Sequence, residues 1–198
     1  MYRHNRWLQA IDYEENSKSH LLFIDSKSFA FDPGFVQNHP VTSLAYPCEE
    51  NQFQAVHARL LLGSYQRLTG RPLLSEAVDA VSAAKQVFQA PFPIVSHDAM
   101  ADPVFNYGNR AALMLFGFSW DEFIALPSRL SAEPVNREAR KKLLQEVAEK
   151  GFIDHYRGIR ITKQGARFQI SDAVVWNLHD EGDVYRGQAA CIRQWRKL

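Results

Sequence analysis

Three strand-like runs follow one another at the C-terminal end of the chain, separated by two short turn signals. The runs cover about residues 154–162, 166–178 and 184–195. Gln164-Gly165 lies in the first gap and the cluster Asp180-Glu181-Gly182-Asp183 in the second, and both combinations favour tight turns. Strands joined by tight turns pair antiparallel, so this part of the chain is predicted to form a three-stranded meander.

Two helical patterns precede the sheet-forming part of the chain. Apolar residues recur at helical spacing over residues 53–68 and 75–89. Residues 1–50 are broken by proline and glycine and are predicted to form an irregular extension. The helical pair therefore belongs to an N-terminal part over residues 51–90, followed by the sheet-forming domain over 91–198. Its apolar stripe could form a homodimer interface or pack on the chain's own sheet, and the spacing leaves both open.

Two short strands and three helices are predicted between the pair and the meander. The strand candidates are residues 94–96 and 104–107. Asn109 and Ser119 have side chains suited to the N-caps of two short helices, and residues 135–150 show the clearest amphipathic pattern. The expected fold class is therefore α+β, with a five-stranded antiparallel sheet that carries helices on one face and follows the helical pair.

The order of these elements resembles that of PAS domains, which place two short strands and several helices before a three-stranded meander. The stretches FNYGNRAA at residues 105–112 and LFGFSWDEF at 115–123 are similar to the PAS segment that enters the first helix. Over about residues 55–195 the chain more specifically resembles the MEKHLA domain, a PAS-like family. That resemblance is carried, in order along the chain, by YQRLTGRPLL (65–74), SHD (96–98), DPVFNYGN (102–109), LPSR (126–129), YRGIR (156–160) and GQAA (187–190).

The resemblance implies a sensory or regulatory role rather than a particular reaction. MEKHLA domains occur as stand-alone bacterial or algal proteins and at the C-terminus of plant homeodomain–leucine-zipper transcription factors. The expected function is a module that binds an unknown small ligand or mediates regulated association with an unknown protein partner. One alternative is a ligand-free dimerisation or interaction module. Another is an enzyme that acts on a small molecule in the PAS cavity through Asp172, His97 or Tyr107.

A ligand pocket on the concave face of the sheet is the strongest candidate site, because PAS folds commonly use that face. Phe168, Ile170, Val174 and Trp176 share one parity in the second run and are predicted to point to one face. The alternative is that the same side chains simply fill the core. The candidate lining residues are Phe105, Tyr107, Phe116, Trp120, Phe123, Phe168, Ile170, Asp172, Val174, Trp176 and Cys191.

Asp172 is the charged member of this set. Strict alternation places it on the same face as Ile170 and Val174, where a buried carboxylate needs a partner or a ligand. A β-bulge at Ser171-Asp172 would turn the side chain outward instead. The sequence does not distinguish these two arrangements.

No catalytic, metal or cofactor signature accompanies the pocket. Neighbouring strand residues point to opposite faces, so Ser96-His97-Asp98 are not expected to form a triad. The seven histidines show no metal-ligand spacing, and an exposed turn is preferred over a metal site for His97, Asp98 and Asp102. Residues 109–150 contain no cysteine for a flavin adduct and residues 135–150 no histidine for haem. Both cofactors are therefore disfavoured, and the ligand is unknown.

Charge and composition exclude two classes of partner. Lys+Arg total 23 and Asp+Glu 22, so the net charge of +1 gives no indication of nucleic-acid binding. No run approaches the ~20 apolar residues that span a bilayer, so no membrane partner is expected. Cys48 and Cys191 stand far apart, as in proteins of a reducing compartment, and the expected location is cytoplasmic.

Overall fold

A computed structural model of the chain describes residues 45–75, 77, 79–132, 146–147 and 150–198. Its α-helices are α1 (Ala55–Thr69), α2 (Ala80–Gln89), α3 (Arg110–Phe116) and α4 (Trp120–Phe123). Its strands are β1 (Ile94–His97), β2 (Phe105–Gly108), β3 (Phe152–Ile153), β4 (Gly158–Ile161), β5 (Arg167–His179) and β6 (Tyr185–Lys197). The predicted helix over 135–150 and the extension over 1–50 lie almost entirely outside the described residues.

The strands form one antiparallel sheet in which β5 and β6 are the long pair. The order across the sheet is β2-β1-β6-β5-β3, and β4 also pairs with β5. The strand predicted over 154–162 is shorter in the structure and forms β4 alone, while β3 precedes the predicted range and was not expected. His155 lies between the two strands with a left-handed φ of 57°. The described sheet therefore has six strands rather than five. The predicted α+β class with a C-terminal antiparallel meander is confirmed.

A β-bulge in β5 decides which face of the sheet each of its side chains reaches. The pairing of β5 with β6 shifts on both sides of Asp172, so the alternation that includes Phe168 and Ile170 is reversed beyond it. Val174 and Trp176 consequently belong to a different hydrophobic cluster from Phe168 and Ile170. The prediction that these four side chains share one face is wrong, and the bulge that the sequence left open is present.

The two faces of the sheet carry separate hydrophobic clusters, which we call the ring face and the pair face. The ring face holds Val95, Phe105, Phe168, Ile170, Ala173 and Ile192, packed against Ala112, Phe116 and Phe123 of the short helices. The pair face holds Ile94, Tyr107, Val174, Trp176, Leu178, Ala189 and Cys191, packed against α1 and α2. Helices therefore cover both faces of the sheet, the short ones on the predicted face and the helical pair on the other.

The helical pair buries its apolar stripe against the chain's own sheet. Leu61 and Tyr65 of α1 are at most 1% exposed, and the ring of Tyr65 meets Trp176 edge-on at 5.0 Å. Small side chains make room for α1, since Ser96 and Ala189 pair side by side in the middle of this face. Of the two arrangements left open by the sequence, packing on the chain's own sheet is the one observed.

Asn109 ties three segments together at the start of α3. Its Oδ1 accepts a hydrogen bond from the backbone N–H of Ala112 at 3.0 Å, which confirms the predicted N-cap, and another from Ile94 at 2.9 Å. Its Nδ2 donates to the carbonyl oxygens of Phe92 at 2.9 Å and Val87 at 3.2 Å. The side chain is fully buried, so one amide holds α2, β1 and α3 in their relative positions.

The start of α1 differs from the prediction. Sequence periodicity places Phe53 in the helix, but α1 begins at Ala55, and Gln52, Phe53 and Gln54 have left-handed φ angles of 54°, 51° and 56°. Each non-glycine residue in this conformation costs about 1–2 kcal/mol. Phe53 is nevertheless buried and packs against Phe88, with 6.1 Å between ring centroids. This contact between residues far apart in the sequence helps to offset the energetic cost of the strained backbone. The spacing of apolar residues along the chain does not predict it.

The second helix of the pair also begins later than predicted. The sequence pattern starts it at Ser75, whereas the structure starts α2 at Ala80. Asp79 is the N-cap, because its carboxylate accepts hydrogen bonds from the N–H groups of Val81 and Ser82. Aspartate and serine are about equally good caps, so composition alone did not separate the two positions.

Candidate functional site

Phenylalanine side chains fill the ring face of the sheet, where the PAS resemblance places a ligand pocket. Phe105 stacks on Phe123 with 4.4 Å between ring centroids, and Phe116 meets Phe168 edge-on at 5.3 Å. All four side chains are at most 5% exposed. Aromatic rings in such contacts pack as densely as an ordinary protein core. For these four pocket candidates, the geometry favours the alternative that they fill the core.

Two glycines permit close backbone approaches around this site. A Cβ atom at Gly108 would lie 2.7 Å from Cε1 of Phe123, so the missing side chain lets this ring lie against β2. Gly187 has a φ of 129°, and a Cβ atom there would lie 1.9 Å from the carbonyl oxygen of His97. Glycine is therefore required where β6 passes the end of β1.

Five other pocket candidates lie on the opposite side of the sheet. Tyr107, Trp120, Val174, Trp176 and Cys191 belong to the cluster on the pair face. The bulge in β5 and a register shift between β1 and β2 separate them from the phenylalanines of the ring face. The prediction that all the candidates surround one cavity is therefore wrong, and they form two groups divided by the sheet.

Asp172 pairs with a surface histidine at the bulge. Its Oδ1 lies 3.0 Å from Nδ1 of His155, whose side chain is largely exposed. The nearby Asp154 accepts a hydrogen bond from Arg71 at 2.6 Å and lies 3.4 Å from a guanidinium nitrogen of Arg193. Partial burial is the largest single influence and raises the pKa of Asp154. The hydrogen bonds from Arg71 and from the N–H of His155, together with the positive charges of Arg193 and Arg71, outweigh it, so the pKa is lowered.

The same cluster offers donor atoms of the kinds that bind metal ions. Asp154, His155 and Asp172 each place one such atom within 4.8 Å of the other two. However, Arg71 and Arg193 already bond to Asp154 and add two positive charges beside it. A divalent cation would have to displace both guanidinium groups, so we assign no metal to this cluster.

The tripeptide Ser96-His97-Asp98 diverges instead of forming a triad. Ser96 faces α1, whereas Nδ1 of His97 lies 2.8 Å from the carbonyl oxygen of Asp98. The carboxylate of Asp98 accepts a hydrogen bond from the N–H of Val104 at 3.1 Å. Asp102 forms an exposed ion pair of its own. These polar side chains stabilise the connection from β1 to β2, and they do not converge on a reacting centre.

A buried polar chain that no sequence motif reveals connects α1 to the sheet. Ser96 is 1% exposed, and its Oγ donates to Oδ1 of Asn106 at 2.7 Å. Nε2 of His57 lies 2.8 Å from the same Oγ and donates to it, because the single hydroxyl proton is already engaged. The imidazole stacks on Tyr107 with 5.2 Å between ring centroids. Burial lowers the pKa of His57 to about 4, so the ring is neutral near pH 7.

The pair face contains two further buried donors. The hydroxyl of Tyr107 and Nε1 of Trp176 have no hydrogen-bond partner among the described residues. Burial also raises the pKa of the Tyr107 hydroxyl, which keeps it protonated. Buried donors without partners are uncommon in folded proteins. Each of these two atoms therefore has a hydrogen bond to donate that no described residue accepts.

An open groove lies between α1, α2 and the segment that joins them. Its volume is about 410 Å³, which lies within the roughly 300–1,000 Å³ of small-molecule pockets. Leu62, Leu73 and Leu74 form part of its apolar lining, and the amides of Gln66 and Gln86 form part of its polar lining. The groove depends on how two helices pack together, so no local sequence pattern predicts it.

In the part of the chain that the structure describes, no helix has the length and apolar character needed to cross a membrane. No curated protein matches the sequence. The PAS domain of a protein from Colwellia psychrerythraea is similar, with a TM-score of 0.47 and 18% identity over 58% of this chain and 92% of that one. The photo-excited blue-light photoreceptor Vivid gives a TM-score of 0.48 and 16% identity over 68% of this chain and 94% of that one.

These structural likenesses are too distant to carry an inference about ligands or signals. The sequence relationship is more specific, because the family model described as the MEKHLA domain matches residues 55–197. The match includes α1, α2 and all six described strands. It confirms the resemblance found in the sequence. The chain therefore belongs to the MEKHLA domain family, and its fold is PAS-like.

Proposed function

We propose that this chain is a PAS-like regulatory module that acts by associating with a second copy of itself. Membership of the MEKHLA family supports a sensory or regulatory role. The observation that carries the finer proposal is the filled ring face, where Phe105, Phe116 and Phe123 occupy the region in which a PAS ligand is expected. Because these side chains fill the interior where a ligand would bind, we expect regulation to act through the outer surface of the domain.

The proposed contact surface is the outer side of the helical pair. Val56 on α1 is 63% exposed, and the groove between α1 and α2 presents the partly buried Leu73 and Leu74. The net charge of +1 produces little repulsion between two copies. The apolar stripe that packs on the sheet is not part of this surface, so a dimer would use side chains other than those first considered.

Native mass spectrometry of the purified protein tests this proposal. We expect a dimer without bound small molecules and without visible absorption. Gln66→Arg and Gln86→Arg should shift the protein towards monomer, since each adds a charge to the groove without removing any hydrogen bond known for these side chains. Gln89→Arg, at the exposed end of α2, is the matched control and should stay dimeric. A monomeric wild-type protein at micromolar concentration would contradict the proposal.

The volume of the groove favours a second candidate, which is binding of a small molecule. About 410 Å³ is sufficient for a compact ligand with an apolar body. In that case native mass spectra would show an added mass that denaturation releases. Loss of this mass in Gln66→Arg and Gln86→Arg, but not in Gln89→Arg, would replace the dimer proposal with the ligand proposal.

The proposal contains no catalytic step. Ser96 is buried and bonded to His57, while Asp172 is paired with His155, so these polar side chains are engaged within the chain. An enzyme that uses Asp172 should lose turnover on Asp172→Asn, and one that uses Tyr107 should lose it on Tyr107→Phe. Turnover of any small molecule that either substitution abolishes would contradict the proposal.

The proposed location is the cytoplasm. Cys48 and Cys191 are both free thiols. Free thiols of this kind suit a reducing compartment. A disulfide at either cysteine in protein isolated from its natural cells would contradict this location.

A further inference from the structure

The segment before α1 combines a helix-forming sequence with a non-helical backbone. Residues 49–55 read EENQFQA, which contains no glycine or proline and is rich in good helix formers. A helical turn starts after Cys48, whose N–H bonds to Oδ1 of Asn51 at 3.0 Å. Residues 52–54 are nevertheless left-handed and separate this turn from α1. Local propensity and the observed backbone therefore disagree at three successive residues.

The break leaves α1 without a side-chain N-cap. Gln54 occupies the N-cap position, but its side chain makes no capping hydrogen bond and donates to the carbonyl oxygen of Ala45 instead. In a continuous helix, the carbonyl groups of residues 51–54 would accept hydrogen bonds from the first N–H groups of α1. A right-handed path through residues 52–54 would thus remove the backbone strain and extend the regular hydrogen bonding of α1.

Phe53 and its neighbours hold the break in place by contacts with α2. The buried ring of Phe53 packs against Phe88, and Nζ of Lys85 lies 5.3 Å from the centroid of the same ring. Lys85 also forms an ion pair with Glu49 at 2.7 Å. The contacts of the Phe53 ring with Phe88 and Lys85 are lost if Phe53 leaves α2. In a continuous helix Phe53 would instead lie one turn before His57 on the same side of α1.

We propose that residues 49–54 form a two-state switch segment. In the state of this structure, Phe53 is docked on α2 and residues 52–54 are left-handed. In the other state, α1 continues without a break to Glu49 and Phe53 is released from α2. The two states direct the preceding chain differently, so any event that captures Phe53 or pulls on the chain before Cys48 shifts the population between them.

Glycine substitution tests the strain on which the switch depends. Gln52→Gly combined with Gln54→Gly should raise the Tm by roughly 2–6 °C, because glycine adopts positive φ angles without strain. Met114→Gly places glycine in the right-handed helix α3 at a side chain that is 75% exposed, and it should lower the Tm by roughly 2–4 °C. A double variant whose Tm falls as far as that of the control would overturn the proposal.

Removing the anchor tests the second state. In Phe53→Ala, the backbone chemical shifts of residues 52–54 should move from left-handed to right-handed helical values, and the helical far-UV signal should rise. Phe53→Leu retains an apolar anchor and should keep the left-handed shifts. Adding Gln52→Gly and Gln54→Gly to Phe53→Ala should suppress the gain in helix. Right-handed shifts in the wild-type protein, or loss of helical signal in Phe53→Ala, would overturn the proposal. Neither readout depends on oligomeric state.

Discussion

The buried amide of Asn109 performs two structural tasks at once. It caps α3, and it also bonds to the backbone of β1 and to the residues at the end of α2. The cap could be predicted from the sequence, because capping joins residues three positions apart. The other bonds could not, since Ile94 and Val87 lie 15 and 22 residues away along the chain.

Asn109→Ala should therefore destabilise the protein more than the loss of an ordinary cap. Removing a cap costs about 0.5–2 kcal/mol, and each buried backbone group left without a partner costs about 1–3 kcal/mol. We expect a loss of roughly 2–4 kcal/mol in the free energy of unfolding, measured by urea denaturation. Asp79→Ala, which removes the exposed cap of α2, should lose only about 1 kcal/mol. Equal losses in the two variants would show that Asn109 acts only as a cap.

At the scale of the elements, α1 is held on the sheet partly through a neutral imidazole. Burial lowers the pKa of His57 from its usual 6.5 to about 4 in the folded state. As the pH falls through this range, the unfolded chain takes up the proton before the folded chain does. Stability from this group is therefore complete above about pH 6.5 and is lost towards pH 4, by roughly 2–3 kcal/mol.

Urea denaturation at several pH values measures this effect. His57→Gln retains an amide donor for Ser96 but has no proton to gain, so it should remove most of the loss between about pH 6.5 and 4. If the free energy of unfolding of His57→Gln depended on pH as in the wild type, protonation of His57 would not be the cause of the stability lost at low pH.

At the scale of the whole molecule, the sheet divides the interior into two cores. Phe116 lies in the cluster on the ring face and Val87 in the cluster on the pair face. The destabilisation by Phe116→Leu and by Val87→Ala should therefore add to within about 0.5 kcal/mol in the double variant. Phe116→Leu with Phe123→Leu is the positive control, because these rings lie 5.8 Å apart and should couple. Strong coupling in the first pair would mean that the two clusters act as one core.

The sequence predicted the fold class well because its signals are local. The third run was predicted over residues 184–195 and forms β6 over Tyr185–Lys197. The site was predicted poorly because its geometry depends on long-range contacts. His57 and Ser96 meet across 39 residues, and no motif links them. The prediction of a single pocket was wrong for a related reason. It assumed that side chains alternate between the two faces along all of β5, whereas the alternation is reversed at the bulge at Asp172.

The bulge at Asp172 also limits how the length of β5 can change. Deleting the extra residue of the bulge itself would restore simple alternation and leave Trp176 facing α1. Deleting one residue between the bulge and Trp176, with the bulge kept, would instead exchange the two faces for the rest of the strand and present Trp176 to the short helices. Insertions or deletions of two residues preserve the alternation, whereas a change of one residue does not. Natural length variation among MEKHLA proteins is therefore expected in the hairpin turns. An aligned gap of one residue at the bulge would identify a homologue with a regular β5, and one beyond the bulge a homologue with rearranged cores.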